Sequence, residues 1–452
     1  MPRTESPPLM ASPAANNAAE EPVFVFPWRR NLAFAWIGVF VGLMGANFVF
    51  PFIPFYIKEL GVEEKGQVAL WTGFTASATG LSLFLTAPLW GALADRVGRK
   101  PMFVRALIGA GVVIALMGLV QSPWQLVGLR FLMGLFSGTI AAASALIAST
   151  TPREKVGPAL GVLQTGQFSA NMLGPIIGGT VAESLGIRES FFFCGVLFLV
   201  AATLVFVFVK EDRAAVMRAA PGRHGNSGNF FTNLREVVSD KQILLMLGLL
   251  YSLWLSTSFV RPLMPISVDN FSEASADGAH VALHLGFTTM ELGEKRASSF
   301  VTAALGLTAT VAALTLGPLA KRIGYKRTVT GAAAATSLIF IPVALSGSYG
   351  WFMLFFAMVG LTQGAMVPSM NALIAGATPD GKHGSAFGLA SSMQSLALMT
   401  GPLVASLIVS QFGIRWNYVV ISAVLMVAAV VGMAWLKPAP PAGEGFAPRG
   451  RR

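Results

Sequence analysis

Long apolar runs separated by short charged turns dominate this chain. Apolar positions fill 31–57, 69–92, 102–120, 124–148, 158–181 and 190–210, and after a polar interval 242–268, 298–320, 328–347, 351–376, 384–410 and 416–436. A helix needs about 20 mostly apolar residues to cross a bilayer. The pattern therefore predicts an all-α integral membrane protein with twelve transmembrane helices. Residues 1–28, rich in Ala, Pro, Glu and Asn, read as a disordered tail, and 437–452 as a second tail. The interval 211–241 opens with Arg213, Pro221, Gly222, Gly225 and Gly228, a flexible composition. Phe230, Phe231, Leu234, Val237 and Val238 then recur at helical spacing, which predicts a short amphipathic helix lying on the inner leaflet. The stretch 269–297 reads as a solvated loop. Its His280 and His284 would suit a metal only on a helix, and two nitrogens are an incomplete ligand set.

Charge orients the spans. The turn Gly91-Ala92-Leu93-Ala94-Asp95-Arg96-Val97-Gly98-Arg99-Lys100-Pro101 is cationic, and a weaker copy runs from Gly317 to Arg327. These turns share one side of the membrane with Arg29, Arg30 and Arg105, whereas the other side holds only Lys58, Lys65, Arg188, Lys295, Arg296 and Arg415. An excess of Lys and Arg marks the cytoplasmic side, so both termini are expected there.

The two halves repeat. Phe48 to Pro54 answers Phe259 to Pro265, Ala145 to Ala148 answers Ala372 to Ala375, and Gly186-Ile187-Arg188 answers Gly413-Ile414-Arg415. Gly161, Gln167, Gly174 and Pro175 answer Gly388, Gln394, Gly401 and Pro402. The offset grows from 211 to 226–227 because the second half has the longer loop. Two pseudo-symmetric six-helix bundles, 29–210 and 242–436, with a binding site between them near the bilayer midplane, are the expected architecture.

Composition narrows the function. Only 12% of the 452 residues are charged, against about 25% in a soluble domain. The net charge of +11 lies in the turns between spans and does not require nucleic acid. Cys194 is a lone cysteine in an apolar run, with no disulfide partner. No nucleophile–base pair, Walker loop or metal cluster is visible, so neither an enzyme nor a cofactor is expected. The chain is expected to act as a monomer on a small molecule in the lipid bilayer, driven by a proton gradient or the membrane potential.

The cationic turn from Gly91 to Lys100 and the run Gly174-Pro175-x-x-Gly178-Gly179 resemble motifs of the major facilitator superfamily, in its twelve-helix drug:proton antiporter branch. Arg30-Asn31-Leu32, Ala35-Trp36, Pro51 to Pro54, Leu129-Arg130 and Leu173-Gly174-Pro175 are similar to the enterobacterial multidrug-resistance members of that branch. The resemblance implies a multidrug exporter of the cell inner or plasma membrane, working by proton-coupled alternating access. A dedicated exporter or importer of one metabolite, possibly an organic anion, is the alternative. The resemblance implies that Gly91, Asp95, Arg96, Gly98 and Arg99 latch the outward-facing state; topology alone is the plainer account of those cations. It implies that Gly174, Pro175, Gly178 and Gly179 lie where the halves meet and bias the carrier to export, although a simple packing kink would leave the same pattern. Arg130 matches an arginine tied to proton coupling in the family, though Met133 stands where glutamine is usual.

Arg130 and Arg261 lie within spans, where a charge faces either a cavity or, by snorkelling, the headgroups. None of the 21 acids falls in the middle of a span, which favours neutral, zwitterionic or anionic amphiphiles as cargo. Asn47, Gln167, Asn171, Tyr251, Trp254, Gln363, Asn371 and Gln394 complete the candidate lining, with interhelical hydrogen bonding as the competing role for each.

Overall fold

A computed structural model describes residues 27–152, 155–211, 241–275, 278–284, 289–378 and 383–437. The first bundle contains α1 (Trp28–Val49), α2 (Ile53–Glu59), α3 (Lys65–Val97), α4 (Arg99–Met117), α5 (Pro123–Leu135), α6 (Thr139–Thr150), α7 (Val156–Ser184) and α8 (Ile187–Phe208). The second contains α9 (Lys241–Val260), α10 (Met264–Asp269), α11 (Glu294–Ile323), α12 (Tyr325–Leu345), α13 (Tyr349–Ala377), α14 (His383–Phe412) and α15 (Ile414–Trp435). Among the described residues eleven helices are long and apolar enough to cross a membrane. The 29-residue α7, which carries Thr165, Gln167 and Asn171, is not one of them. The amphipathic helix expected at 230–241 falls almost wholly outside the described residues.

Three expected spans are broken. Pro51 has no N–H to donate, and a 3-10 turn at Phe50–Phe52 separates α1 from α2. Pro262 marks the equivalent break between α9 and α10. The fourth span divides at Gly138, whose φ of 114° lies in the left-handed region where a side chain is disfavoured. The tight turns repeat as the sequence does: Gly98 and Gly324 (φ 105° and 95°) each precede a helix, as do Gly186 and Gly413 (105° and 87°).

The expectation of a solvated loop at 269–297 is corrected. Strands β1 (Ser272–Ser275), β2 (Gly278–His284) and β3 (Thr289–Gly293) form an antiparallel sheet in the order β1-β2-β3. Val281 pairs with Leu292, and both are buried, as is Leu283. Alternation of buried and polar positions is what holds a half-buried strand. His280 and His284 therefore lie on an extended strand, not on the helix a paired metal site would need.

Each bundle is tied at the end where the chain enters and leaves it. Asn31 donates from Nδ2 to the Lys210 carbonyl (2.8 Å) and accepts from the Lys210 N–H (3.0 Å). Gln242 repeats the arrangement, donating to the Trp435 carbonyl (3.0 Å) and accepting from the Lys437 N–H (2.9 Å). This end is called the terminal end, and the opposite one, which carries the strands, the sheet end.

Candidate functional site

The bundles meet through α3 against α14 and α7 against α11, and glycines set the approach. A Cβ on Gly80 would stand 2.5 Å from the Leu398 and Met399 backbone, and one on Gly73 2.6 Å from the Pro402 carbonyl. On the other side, a Cβ on Gly306 would stand 2.7 Å from the Asn171 carbonyl, and one on Gly179 3.0 Å from that of Lys295. Small residues let helix backbones approach closely where no hydrophobic force separates helix from lipid. These contacts occupy the middle and the sheet end. Towards the terminal end, Gly161 on α7 and Gly388 on α14 meet nothing within 4 Å.

The four ion pairs found among the described residues all cross between the bundles at the sheet end. Asp269 takes Lys58 (2.8 Å) and Lys65 (3.4 Å), Glu59 takes Lys295 (3.7 Å), and Glu183 takes Arg296 (3.4 Å). Lys65 also donates to Asn270 (2.9 Å). Sequence reading placed these groups at the membrane edge but missed the pairing. The partners stand more than 100 residues apart, and nothing local marks them.

The cationic turn is formed by the last turns of α3, which hold Gly91, Asp95 and Arg96, then Gly98, then Arg99 opening α4. The side chains of Asp95 and Arg96 lie outside the described residues. Arg99 Nη1 donates to the Ala145 carbonyl (3.1 Å). Glu211, not singled out in the sequence, accepts from the backbone N–H groups of Arg99 and Lys100 (both 2.9 Å). A carboxylate there satisfies free donors and complements the positive end of the helix.

The Gly-Pro run continues within α7 without interrupting it. Gly174 approaches Met44 and Asn47, Gly178 sits 2.5 Å, by its absent Cβ, from the Phe48 carbonyl, and Gly179 faces α11 of the other bundle. The run thus joins a contact inside the first bundle to one between bundles.

Several candidate polar groups engage other helices. Asn47 donates to Asn171 (2.9 Å), and Tyr251 shares a hydrogen bond with Thr400 (2.8 Å). Gln363 accepts from Thr257 (3.3 Å) and donates to Ser256 (3.4 Å). Gln167 Nε2 is buried with no partner among the described residues. Trp254, Asn371 and Gln394 are partly buried on α9, α13 and α14.

The two arginines are not brought together. Arg130 is 1% exposed inside the first bundle, which removes snorkelling as its explanation. Its guanidinium lies 5.4 Å from the centre of the Phe50 ring, and Nη1 reaches only the Met133 sulfur at 4.0 Å. Nε and Nη2 have no partner among the described residues. Arg261 lines a separate cavity whose walls come from the second bundle alone, so the two arginines sit in separate environments.

Comparison with known proteins follows the same lines. The model of the Major Facilitator Superfamily matches residues 35–290 and 279–452. The chain is 31% identical over 403 residues to the multidrug resistance protein MdtG of Yersinia enterocolitica, covering 89% of this chain and 92% of that one. It is 31% identical over 407 residues to MdtG of Salmonella typhimurium, covering 89% and 94%. Among solved structures, the nucleoside transporter NupG superposes with a TM-score of 0.71 at 12% identity, covering 89% of this chain and 98% of that one.

Proposed function

The chain belongs to the Major Facilitator Superfamily, and on that premise we propose that it exports small amphiphilic compounds by alternating access, coupled to the proton gradient across the inner or plasma membrane. It is a multi-pass membrane transporter and not an enzyme. Its multidrug-resistance relatives favour a broad substrate range over a carrier for one metabolite.

One observation carries the mechanism. The bundles touch near the sheet end through glycine-lined helix faces and ion pairs, while Gly161 and Gly388 face open space towards the terminal end. A protein closed at one end and spread at the other presents a vestibule to one side of the membrane, and rocking the bundles presents it to the other. In this reading α7 is the twelfth crossing, both termini are cytoplasmic, and the state described faces inward. Asn47, Gln167, Asn171, Tyr251, Trp254, Gln363, Asn371 and Gln394 line or brace the vestibule. The turn holding Gly91, Asp95, Arg96, Gly98 and Arg99 latches the opposite, outward-facing state. Gly174, Pro175, Gly178 and Gly179 guide the rocking motion, and Arg130 takes part in coupling.

Flux in proteoliposomes tests this. Drug should move outward relative to the native orientation, faster when protons are supplied on the outer side. A susceptibility panel in an efflux-deficient strain should show tolerance to several unrelated amphiphiles. Equal flux with and without the pH gradient would remove proton coupling, and tolerance to a single compound would remove the broad range.

A further inference from the structure

One of the contacts that close the sheet end joins a side chain to a helix backbone. Glu183, in the last turn of α7, pairs through Oε1 with the Arg296 guanidinium (3.4 Å), and its Oε2 accepts from the Arg296 backbone N–H (3.2 Å). Arg296 is the third residue of α11. The first N–H groups of a helix have no partner within it, and a side-chain oxygen just before the helix commonly satisfies the third. The residue before α11 is Gly293, which has no side chain to offer. The cap comes from the other bundle instead. A Cβ on Gly293 would displace the Glu183 carboxylate. Gly293 also ends β3 and pairs with His280 of β2, so the sheet fixes the start of α11 where Glu183 meets it.

The matching seam lacks this contact. Gly80 on α3 meets the Leu398 carbonyl of α14, and Gly306 on α11 meets the Asn171 carbonyl of α7, so offsets of 226 and 227 align the two seams. Gly73 against Ser406, and Ser299 against Gly179, follow the same offsets. On α14 the offset of 227 sets Ser410 opposite Glu183. The Ser410 hydroxyl turns back to the Leu407 carbonyl of its own helix (2.9 Å). The ion pairs of Asp269 and Glu59 join side chain to side chain. Among the described residues, Glu183 is the one acid that caps a helix of the opposite bundle.

Opening the sheet end must draw α7 away from α11 and leave the capped N–H to water. An exposed ion pair shifts an equilibrium only a few-fold, whereas a cap that is also a negative charge at the positive end of a helix shifts it about 10-fold. We infer that Glu183 is a positioning residue of the carrier: by capping α11 across the boundary between the bundles, it favours the state closed at the sheet end. This rests on the alternating-access reading and deepens it. The catch is one-sided, since Ser410 does not repeat it. It also gives the sheet a task, presenting the start of α11 to α7, and it opposes the latch proposed for the turn from Gly91 to Arg99.

The test uses the full-length protein in nanodiscs, where a bulky, membrane-impermeant maleimide reaches both faces. Ser299→Cys reports on the sheet end, because Ser299 is 1% exposed against Gly179, and Gly388→Cys reports on the open terminal end. Protein without a reporter gives the background from the buried Cys194. Glu183→Ala should raise labelling at Ser299→Cys about 10-fold, with no rise at Gly388→Cys. Gly293→Ala keeps both charges but displaces the carboxylate, and should act in the same way. Arg296→Gln keeps the backbone N–H and should raise labelling only a few-fold. Glu183→Arg combined with Arg296→Glu restores the ion pair but not the cap, so labelling should stay near 10-fold. Unchanged labelling in Glu183→Ala would overturn the inference. So would equal effects of Arg296→Gln and Glu183→Ala, or recovery by the reversed pair. A rise at both reporters would make the contact a structural brace and overturn it too. A protein that moves amphiphiles in proteoliposomes while Glu183→Ala labels like wild type would lose the catch and keep the carrier reading. One that shows the expected labelling but moves nothing would keep the catch and lose the carrier.

Discussion

Asn31 grips the backbone of Lys210 in the first bundle, and Gln242 grips Trp435 and Lys437 in the second. Turn glycines also match between the bundles, Gly98 with Gly324 and Gly186 with Gly413. The arginines within the spans do not match: one rises from α5 to meet Phe50, the other sits at the α9 break beside a cavity. The difference separates two kinds of constraint. Helix ends carry backbone groups that need partners, and turns need particular φ values, whatever the cargo. The interior has no such fixed requirement beyond packing and pairing, so it is where the halves are free to part company.

Four experiments bear on this contrast. The largest effect is expected at Arg130. Replacing a sealed, unpaired cation with a hydrophobe of similar length, Arg130→Met, should raise thermal stability, by up to about 4 kcal/mol. A fall in the melting temperature would mean that the guanidinium braces the bundle through Phe50. Next, Gly80→Leu should block the approach of α3 to α14. Overpacking of about 1–3 kcal/mol corresponds to a shift of roughly 5–150-fold in the rocking equilibrium, read as lost drug efflux at normal expression. Third, Asn31→Ala and Gln242→Ala should each cost about 1 kcal/mol of stability, and by similar amounts. Clearly unequal melting shifts would show that the repeated grips are not equivalent. The smallest effect belongs to Asp269→Asn. Partly exposed ion pairs contribute about 0.2–1 kcal/mol, so labelling of a Ser410→Cys reporter, near the end of α14 where Gly66 of α3 packs against it at the sheet end, by a membrane-impermeant maleimide from outside should rise only a few-fold.

Much of this architecture can be read from the sequence because its causes are local. Run length predicts the spans, and Pro51 and Pro262 stand where α1 and α9 break. What escapes the sequence depends on rotation and distance. Whether Arg130 snorkels or turns inward is set by how α5 is rotated in its bundle, which spacing alone does not decide. Lys58 and Asp269 are 211 residues apart, and only the assembled bundles bring them to 2.8 Å. The sheet was missed for a different reason. Val281 and Leu283 stand two apart as on one face of a strand, but Ala282 between them is apolar too, and the run is too short to outweigh the polarity around it.

The paired grips at the terminal end carry one more implication. Asn31 with Lys210 and Gln242 with Lys437 close each bundle upon itself, so neither closure passes through the connecting stretch. Severing the polypeptide between Glu211 and Lys241, and encoding the two pieces on separate genes, should leave both knots tied. The fragments would then rely on their glycine seams and the ion pairs at the sheet end to find one another in the lipid.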